Sequence, residues 1–281
     1  TFSFLVDWAL SEVLRLFRVR RINYLHTVGF TTLASRGRVF SWLVGRLLGS
    51  AHTTVCLGPS LAWDVQRWVD ATTVVFIPNT AADSPDDRVL NDGTAPQLVL
   101  YLSNLIPEKG ANTFVNMAVA LAPEIPDVSF VVAGATFDQH FTNSLVATVE
   151  AKRLSSTIKL PGAITDPSEK WRLLNDAAVL VFPSTYPFEA QPLTIIEALS
   201  SGTPVVAYDV GGISDMIING VNGFLVPPSD SERLANSVRS VLMDGTELAS
   251  GARQSFKSNF STAEYQRRWM STLSTELLGL S

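Results

Sequence analysis

Seven residues separate Glu189 from Glu197. The first follows an apolar run of strand length, and the second lies in a run with helical spacing, Leu193–Ser200. A carboxylate about one turn into a helix can accept hydrogen bonds from both hydroxyls of a ribose. The amides of the turn Ala190–Leu193 can hold an anion or sugar hydroxyls, although Pro192 has no N–H to give. On spacing alone, two unrelated surface glutamates remain the alternative, one of them capping the helix.

Lys109 lies between another predicted strand and the helix that follows it. The apolar run Leu98–Leu102 ends at Ser103 and Asn104, and Lys109 with Gly110 opens the next helical segment. An ammonium group beside a helix N-terminus is suited to a diphosphate. Taken alone, a solvated lysine in a turn explains this position as well.

His26 ends a third predicted strand, and Gly29 follows it in a loop. A histidine at a strand end can donate a hydrogen bond to a substrate oxygen, with a purely structural histidine as the alternative. The three histidines (26, 52 and 140) have no metal-ligand spacing, so no metal is predicted. The sequence also lacks the glycine-rich dinucleotide and Walker motifs and the nucleophile elbow of serine hydrolases.

These candidate residues belong to a regular alternation of strands and helices. The predicted strands from residue 97 onward are Leu98–Leu102, Val128–Ala133, Ile158–Leu160, Val179–Phe182, Val205–Ala207 and Phe224–Val226. The predicted helices there are Asn112–Ala122, Phe141–Lys152, Ser168–Asp176 with Ser168 as its cap, Leu193–Ser200, Ile213–Ile218 and Glu232–Met243. Apolar strands alternating with helices are typical of a doubly wound parallel sheet. Ligands of such sheets bind at the carboxyl ends of the strands, so the candidate loops should surround one crevice.

The region before residue 97 is less regular. Its predicted strands are Ile22–His26, Thr54–Leu57 and Val74–Ile77, and its predicted helices are Arg38–Leu48 and Leu61–Val69. The segment Ala81–Pro96 is rich in Asp, Pro and Ser and has no periodicity, which predicts a linker. We therefore expect a first domain over residues 1–80, a second over 81–260, and a C-terminal segment 261–281 with the helix Thr262–Leu278.

Composition and charge limit the function further. With 46% hydrophobic and 17% charged residues, the chain has material for a core and is not a disordered protein. A net charge of −5 gives no reason to expect nucleic-acid binding, and one cysteine fits a reducing compartment.

The charge is distributed unevenly, since the first 50 residues carry a net charge of +5 and the remainder −10. This basic N-terminal segment, residues 1–50 (the basic front), is suited to contact with anionic lipid headgroups. The alternative is an ordinary solvent-exposed surface. No apolar run is long enough to span a membrane.

Taken together, these segments resemble the retaining GT-B glycosyltransferases of the glycosyltransferase family 4 type, also called glycosyl transferases group 1. The resemblance covers nearly the whole chain and is strongest from Val75 to Pro228. It is carried by VVFIPNT at the linker, SNLIPEKG, VVAGA, the Glu189 to Glu197 segment within FEAQPLTIIEALSSGTPVVAYDVGG, and NGFLVPPSD.

The resemblance implies an α/β GT-B fold of two doubly wound, Rossmann-like domains with a nucleoside diphosphate sugar as donor. It places Glu189 beside the transferred sugar, where the carboxylate stabilises charge at the anomeric centre. It assigns binding of the ribose to Glu197 and binding of the leaving diphosphate to Lys109. It also implies that the His26 side chain extends from the first domain towards the donor sugar. The further donor-binding positions that it implies are Ser103, Asn104, Gly134, Gly162, Gln191, Leu193 and Thr194.

One departure from the family pattern concerns the diphosphate. Family members commonly carry G-R-x-x-x-x-K-G after this strand, and here Ser103 and Asn104 occupy the first two positions. One cation is therefore missing. The resemblance otherwise implies a retaining hexosyltransferase that needs neither a metal nor a cofactor.

The acceptor implied by the resemblance and the basic front is a lipid-linked glycan or a cell-surface polysaccharide precursor. This predicts a cytoplasmic protein in peripheral contact with the inner face of the membrane. The first domain is about half the length of a doubly wound domain, so its beginning is expected to be missing. Two alternatives stay open: a fragment that binds a sugar nucleotide without transfer, and a nucleotide-sugar epimerase on the same fold.

Overall fold

Two parallel sheets organise the part of the chain that the computed structural model describes, residues 2–85 and 97–278. Residues 86–96 of the predicted linker lie outside the described residues. The elements of the first part are α1 (Phe2–Leu16), β1 (Ile22–Leu25), α2 (Phe30–Ala34), α3 (Arg38–Leu48), β2 (Thr53–Cys56) and β3 (Val74–Phe76). The three strands are parallel in the order β1-β2-β3, and α1 and α3 pack against them around Val44 and Leu48.

A six-stranded sheet forms the second part. Its elements are β4 (Gln97–Leu102), α4 (Ala111–Leu121), β5 (Val128–Ala133), α5 (Gln139–Ala151), β6 (Ile158–Gly162), α6 (Pro167–Asp176), β7 (Ala177–Phe182), α7 (Leu193–Ser200), β8 (Val205–Tyr208), β9 (Gly223–Val226), α8 (Ser231–Met243), α9 (Thr246–Asn259) and α10 (Thr262–Leu278). The strands are all parallel. Apolar side chains fill both faces, with α4, α5 and α8 on one and α6, α7 and α9 on the other.

The strand order β6-β5-β4-β7-β8-β9 determines where a ligand can bind. Counted within this sheet, the order is 3-2-1-4-5-6, which reverses direction between its first and fourth strands, β4 and β7. The loops after these two neighbouring strands therefore diverge and open a crevice at their carboxyl ends. Lys109 lies in the loop after β4 and Glu189 in the loop after β7, so the topology brings both to this crevice.

Two predicted helices are wrong. The segment predicted as a helix over Leu61–Val69 forms a 3₁₀ turn, Pro59–Asp64, and the buried Asp64 carboxylate at its end is directed to the N-terminus of α2, where it accepts hydrogen bonds from the first amides. The predicted helix Ile213–Ile218 is a 3₁₀ turn over Gly211–Asp215. There the side chain of Asn222 bonds the Ile218 amide and the Met216 carbonyl oxygen, and so replaces helical bonds.

The cap of α6 is also different from the prediction. Asp166, and not Ser168, occupies the N-cap, and its carboxylate accepts from the Ser168 amide at 2.9 Å. Pro167 follows at the first helical position, where its missing N–H has no cost.

The last helix returns to the first sheet. The Trp269 ring of α10 lies 5.1 Å from the ring of Tyr24 in β1, in an edge-on arrangement. Within the described ranges, no helix combines the length and the apolar character needed to cross a membrane.

Candidate functional site

An ion pair between Lys109 and Glu189 lies at the bottom of the crevice. The Lys109 Nζ atom is 2.7 Å from the Glu189 Oε2 atom, and the two side chains are only 16% and 6% exposed. Ser184, the second residue after β7, donates from its Oγ to the same Oε2 at 2.7 Å. Both bonds use Oε2, so Oε1 retains its lone pairs for a ligand. The ammonium also lies 4.7 Å from the centre of the Tyr186 ring.

The turn that carries Lys109 is fixed from two sides. Gly110 has a φ of +81°, and a Cβ at this position would overlap the carbonyl oxygen of Pro183. Only glycine combines this backbone conformation with such a close approach. The Thr185 amide donates to the Glu108 carbonyl oxygen at 2.7 Å. The loops after β4 and β7 are thus joined, and the ion pair does not depend on long side chains alone.

A buried tyrosine supports the same turn from below. The hydroxyl of Tyr101, near the end of β4, lies 3.1 Å from the Asn104 carbonyl oxygen and 3.3 Å from that of Lys109. Burial raises the pKa of this hydroxyl, so it stays protonated and able to donate.

Glu197 is the fifth residue of α7 and is half-buried. Its Oε1 atom lies 2.6 Å from the Nζ atom of Lys170 on the neighbouring helix α6. Sequence analysis missed both Ser184 and Lys170. Ser184 could have been found from the sequence, since it is the second residue after an apolar strand, in the loop that also carries Glu189. Lys170 has none, because its pairing depends on the packing of two helices.

Four of the predicted donor-binding residues form a ledge of backbone along the carboxyl ends of β4, β5 and β6. Ser103 is half-buried and Asn104 is exposed. A Cβ at Gly134 would overlap the Ser103 carbonyl oxygen, and the Gly134 amide donates to the Gly162 carbonyl oxygen at 2.8 Å. Gly162 has a φ of +85° with open space around it. The ledge is therefore open at Gly162, whereas Gly134 is packed closely against the backbone of Ser103.

The side chain of Gln191 joins the two parts of the chain. It is buried, its Oε1 accepts from the Asn79 amide at 2.9 Å, and its Nε2 donates to the Leu57 carbonyl oxygen at 2.9 Å. The predicted role of Gln191 in donor binding is thereby limited to its backbone. Leu193 and Thr194 begin α7, and the first amides of a helix have no acceptor within it. These amides are available to an anion.

His26 is the first residue after β1 and is exposed. Its ring centre lies 3.9 Å from that of Tyr24. Two residues further on, Val28 packs against Ala190, the neighbour of Glu189, in a small apolar cluster with Leu57 and Leu61. The loop of His26 and the loop of Glu189 are therefore in contact.

A second link ties the two parts together beneath Glu189. The Asp215 Oδ2 atom accepts from the Ser60 Oγ at 2.6 Å and from the Ser60 amide at 3.0 Å. Gly211 has a φ of +58°, and a Cβ there would overlap the Glu189 carbonyl oxygen. The glycine allows this loop to support the backbone of Glu189 directly.

This arrangement combines two carboxylates, each paired with a lysine, with the free amides at the start of α7 and the backbone ledge that contains Gly134 and Gly162. Such a crevice can hold a ligand that has hydroxyls at both ends and a phosphate between them. In the part of the chain that the structure describes, no three His, Cys, Asp or Glu side chains are grouped so that they could hold a metal.

Comparison with solved structures defines the class of protein. The Anabaena protein Alr3699/HepE, solved in complex with UDP, superposes with a TM-score of 0.80 at 22% identity, over 97% of this chain and 77% of that one. Sucrose-phosphate synthase from Thermosynechococcus elongatus superposes with a TM-score of 0.79 at 24% identity, over 99% of this chain and 73% of that one. The predicted α/β GT-B fold class is confirmed.

The family follows from the sequence comparison. A profile of the family "Glycosyl transferases group 1" matches residues 84–259, more than half of the chain. The chain belongs to the glycosyl transferases group 1 family, as the motifs predict.

Two curated relatives are similar over different lengths. Glycogen synthase of Mycobacterium tuberculosis is 32% identical over 170 residues, which are 59% of this chain and 40% of that protein. The lipopolysaccharide core biosynthesis mannosyltransferase LpcC of Rhizobium leguminosarum is 30% identical over 223 residues, 76% of this chain and 60% of that protein. The chain thus spans about half the length of these relatives.

Proposed function

We propose that this protein is a retaining glycosyltransferase that moves a sugar from a nucleoside diphosphate sugar to a hydroxyl acceptor. The observation that carries the proposal is the buried Lys109–Glu189 pair at the reversal point of the sheet, with Glu197 on the adjoining helix. Membership of the glycosyl transferases group 1 family supports it. The relative LpcC is named a mannosyltransferase, and the structural neighbour HepE was solved with UDP and with UDP-glucose.

The proposed donor lies along the crevice with its ribose hydroxyls on Glu197. Its diphosphate meets the Lys109 ammonium and the amides that open α7. The base lies along the ledge at Gly134 and Gly162, which has open space at Gly162. The sugar then reaches Glu189, and His26 approaches it from the first domain.

In the proposed reaction, the bond between the anomeric carbon and the diphosphate oxygen breaks as the acceptor oxygen bonds to that carbon on the same face. Positive charge develops at the sugar, beside the buried Glu189 carboxylate, and negative charge develops on the diphosphate, beside Lys109. The acceptor proton passes to the departing phosphate oxygen. The proposed reaction includes no step that needs a metal or a cofactor, as the sequence resemblance implies. The links through Gln191 and Asp215 hold the two parts together and so limit the access of water to the donor.

Calorimetry with UDP, GDP and ADP followed by a turnover assay tests this function. We expect one of these nucleoside diphosphates to bind. With a sugar nucleotide of the same base, we expect slow release of the nucleoside diphosphate by hydrolysis of the donor, and faster release when a hydroxyl acceptor is added. Chromatography of the remaining donor distinguishes the alternatives. Binding without any release of nucleotide would favour a non-catalytic binding module, and an isomeric sugar nucleotide formed without acceptor would favour an epimerase.

The proposed acceptor is a lipid-linked glycan or cell-surface polysaccharide precursor, reached from the cytoplasmic side. Apolar side chains of α1, of the residue that follows it and of α3 are exposed, among them Phe2, Leu16, Phe17, Val39 and Trp42. Arg15, Arg18 and Arg38 lie among them in sequence and are exposed too. A helix surface with apolar and arginine side chains is suited to the boundary of an anionic bilayer. Curated relatives include a poly(ribitol-phosphate) α-N-acetylglucosaminyltransferase of Staphylococcus aureus, 26% identical over 178 residues.

Flotation with liposomes checks the membrane contact. At low salt we expect the protein to float with phosphatidylglycerol vesicles, to float less with phosphatidylcholine vesicles, and to lose binding in a Phe17→Ser, Trp42→Ser double variant. Met243→Ser is the control, because Met243 is even more exposed than Phe17 and Trp42 but lies on α8 in the second part. A wild-type protein that ignores anionic vesicles at low salt would contradict this contact.

A further inference from the structure

Each of the two site glutamates has a lysine partner. The chain has five lysines, and three of them, Lys152, Lys159 and Lys257, are exposed. The other two are half-buried and pair with Glu189 and Glu197. Lys109 is expected from the family pattern, whereas the pairing of Lys170 follows only from the structure.

The Lys170–Glu197 pair differs from an ordinary surface ion pair. Its atoms are 2.6 Å apart, the glutamate side chain is only 15% exposed, and the two residues stand 27 positions apart on different helices. Trp171, the next residue, packs on the apolar core beneath α6 and so holds the backbone of Lys170 in place. Exposed pairs of flexible side chains contribute little, but a half-buried pair from two packed helices fixes the orientation of the carboxylate.

Orientation matters because a carboxylate has about four lone-pair sites. The ammonium takes one of them on Oε1, and those that remain can accept two neighbouring hydroxyls only if the carboxylate plane is held in one position. The charge matters as well, since an unbalanced carboxylate repels a diphosphate nearby. Ser103 and Asn104, which follow β4 in the same loop as Lys109, are uncharged. Lys109 pairs with Glu189, and Lys170 balances the charge of Glu197.

We propose that Lys170 is a positioning residue of the donor site, which orients the Glu197 carboxylate towards the ribose hydroxyls and balances its charge. The proposal rests on the proposed function, because it requires a nucleotide at Glu197. It assigns Lys170 no contact with the reacting atoms.

The test compares ribonucleotides with their deoxy forms. Affinities of UDP, GDP and ADP, and of their 2′-deoxy counterparts, are measured by calorimetry for the wild type and for Lys170→Met. We expect the variant to bind the preferred ribonucleotide about tenfold more weakly and its deoxy form only about threefold more weakly. The preference for ribose should therefore shrink about threefold. Lys170→Arg should restore most of the preference, and Lys257→Met should match the wild type, because Lys257 is exposed on α9.

Two results would count against the proposal. Equal losses for the ribo and deoxy forms would show a general effect of charge or folding, and unchanged affinities would show that Lys170 has no part in binding. A Lys170→Gln variant and melting curves of all variants identify any loss of folded protein, which we do not expect at a side chain that is 32% exposed. If the wild type binds none of the nucleotides, the proposed function itself fails. If it binds them and the ribose preference survives in Lys170→Met, only the role of Lys170 fails.

Discussion

Replacement of Glu189 by alanine should abolish sugar transfer and leave nucleotide affinity within a few fold of the wild type. The Glu189 carboxylate is buried at the proposed sugar end of the crevice, where a negative charge stabilises the positive charge of the transition state. Loss of a preorganised group of this kind typically lowers the rate by about 10²- to 10³-fold. The proposed ribose and diphosphate contacts lie elsewhere, on Glu197 and Lys109, and should remain.

The measurement is the initial rate of nucleotide release with acceptor, alongside calorimetry with the nucleoside diphosphate. Alanine also leaves the half-buried Lys109 ammonium without its partner, so Glu189→Gln is measured too, since it can keep the hydrogen bond from Ser184. Glu108→Gln is the control, because Glu108 lies in the same turn with an exposed side chain. Wild-type activity in Glu189→Gln would contradict the proposed mechanism.

Replacement of Glu197 by alanine should instead abolish tight nucleotide binding. Two hydrogen bonds from ribose hydroxyls to a carboxylate contribute about 1.5 kcal/mol each or more, so their loss should weaken affinity about 100-fold. Calorimetry with the preferred nucleoside diphosphate measures this effect directly. The affinity for the 2′-deoxy form should fall less, because this nucleotide makes fewer of these hydrogen bonds.

Glu169→Ala is the control for this second prediction. Glu169 lies in the first turn of α6, next to Lys170, but its side chain is exposed. It tests whether any loss of negative charge near the crevice has the same effect. An affinity of Glu197→Ala within about threefold of the wild type would contradict the assignment of Glu197 to the ribose.

Much of the second part could be predicted because its local and long-range signals agree. The strand Val128–Ala133 and the helix Leu193–Ser200 are observed with the predicted boundaries. Both are apolar runs of the right length, bounded by residues that end regular structure. The meeting of Lys109 and Glu189 was also predictable, because parallel strands present their carboxyl ends at one edge of the sheet.

The contacts made by single polar side chains could not be predicted. Asn222 bonds backbone groups of the segment predicted as a helix around residue 215, whereas the Asp64 carboxylate bonds the N-terminal amides of another helix, α2. The link from Gln191 to Asn79 and Leu57 joins residues more than 100 positions apart. The partner of Glu197, Lys170, is decided by how α6 packs beside α7. None of these pairings leaves a periodic signal in the sequence.

The central claim, that the crevice between Lys109, Glu189 and Glu197 binds a sugar nucleotide, is tested most directly by the melting temperature of the protein with a panel of sugar nucleotides. We expect at least one sugar nucleotide, together with its parent nucleoside diphosphate, to raise the melting temperature of the wild type by about 3 °C or more at saturation. At the same concentrations the compounds should raise the melting temperature of Glu197→Ala much less, because its affinity is expected to be about 100-fold lower. A panel in which no sugar nucleotide stabilises the wild type, or in which Glu197→Ala is stabilised as much as the wild type, would contradict the claim.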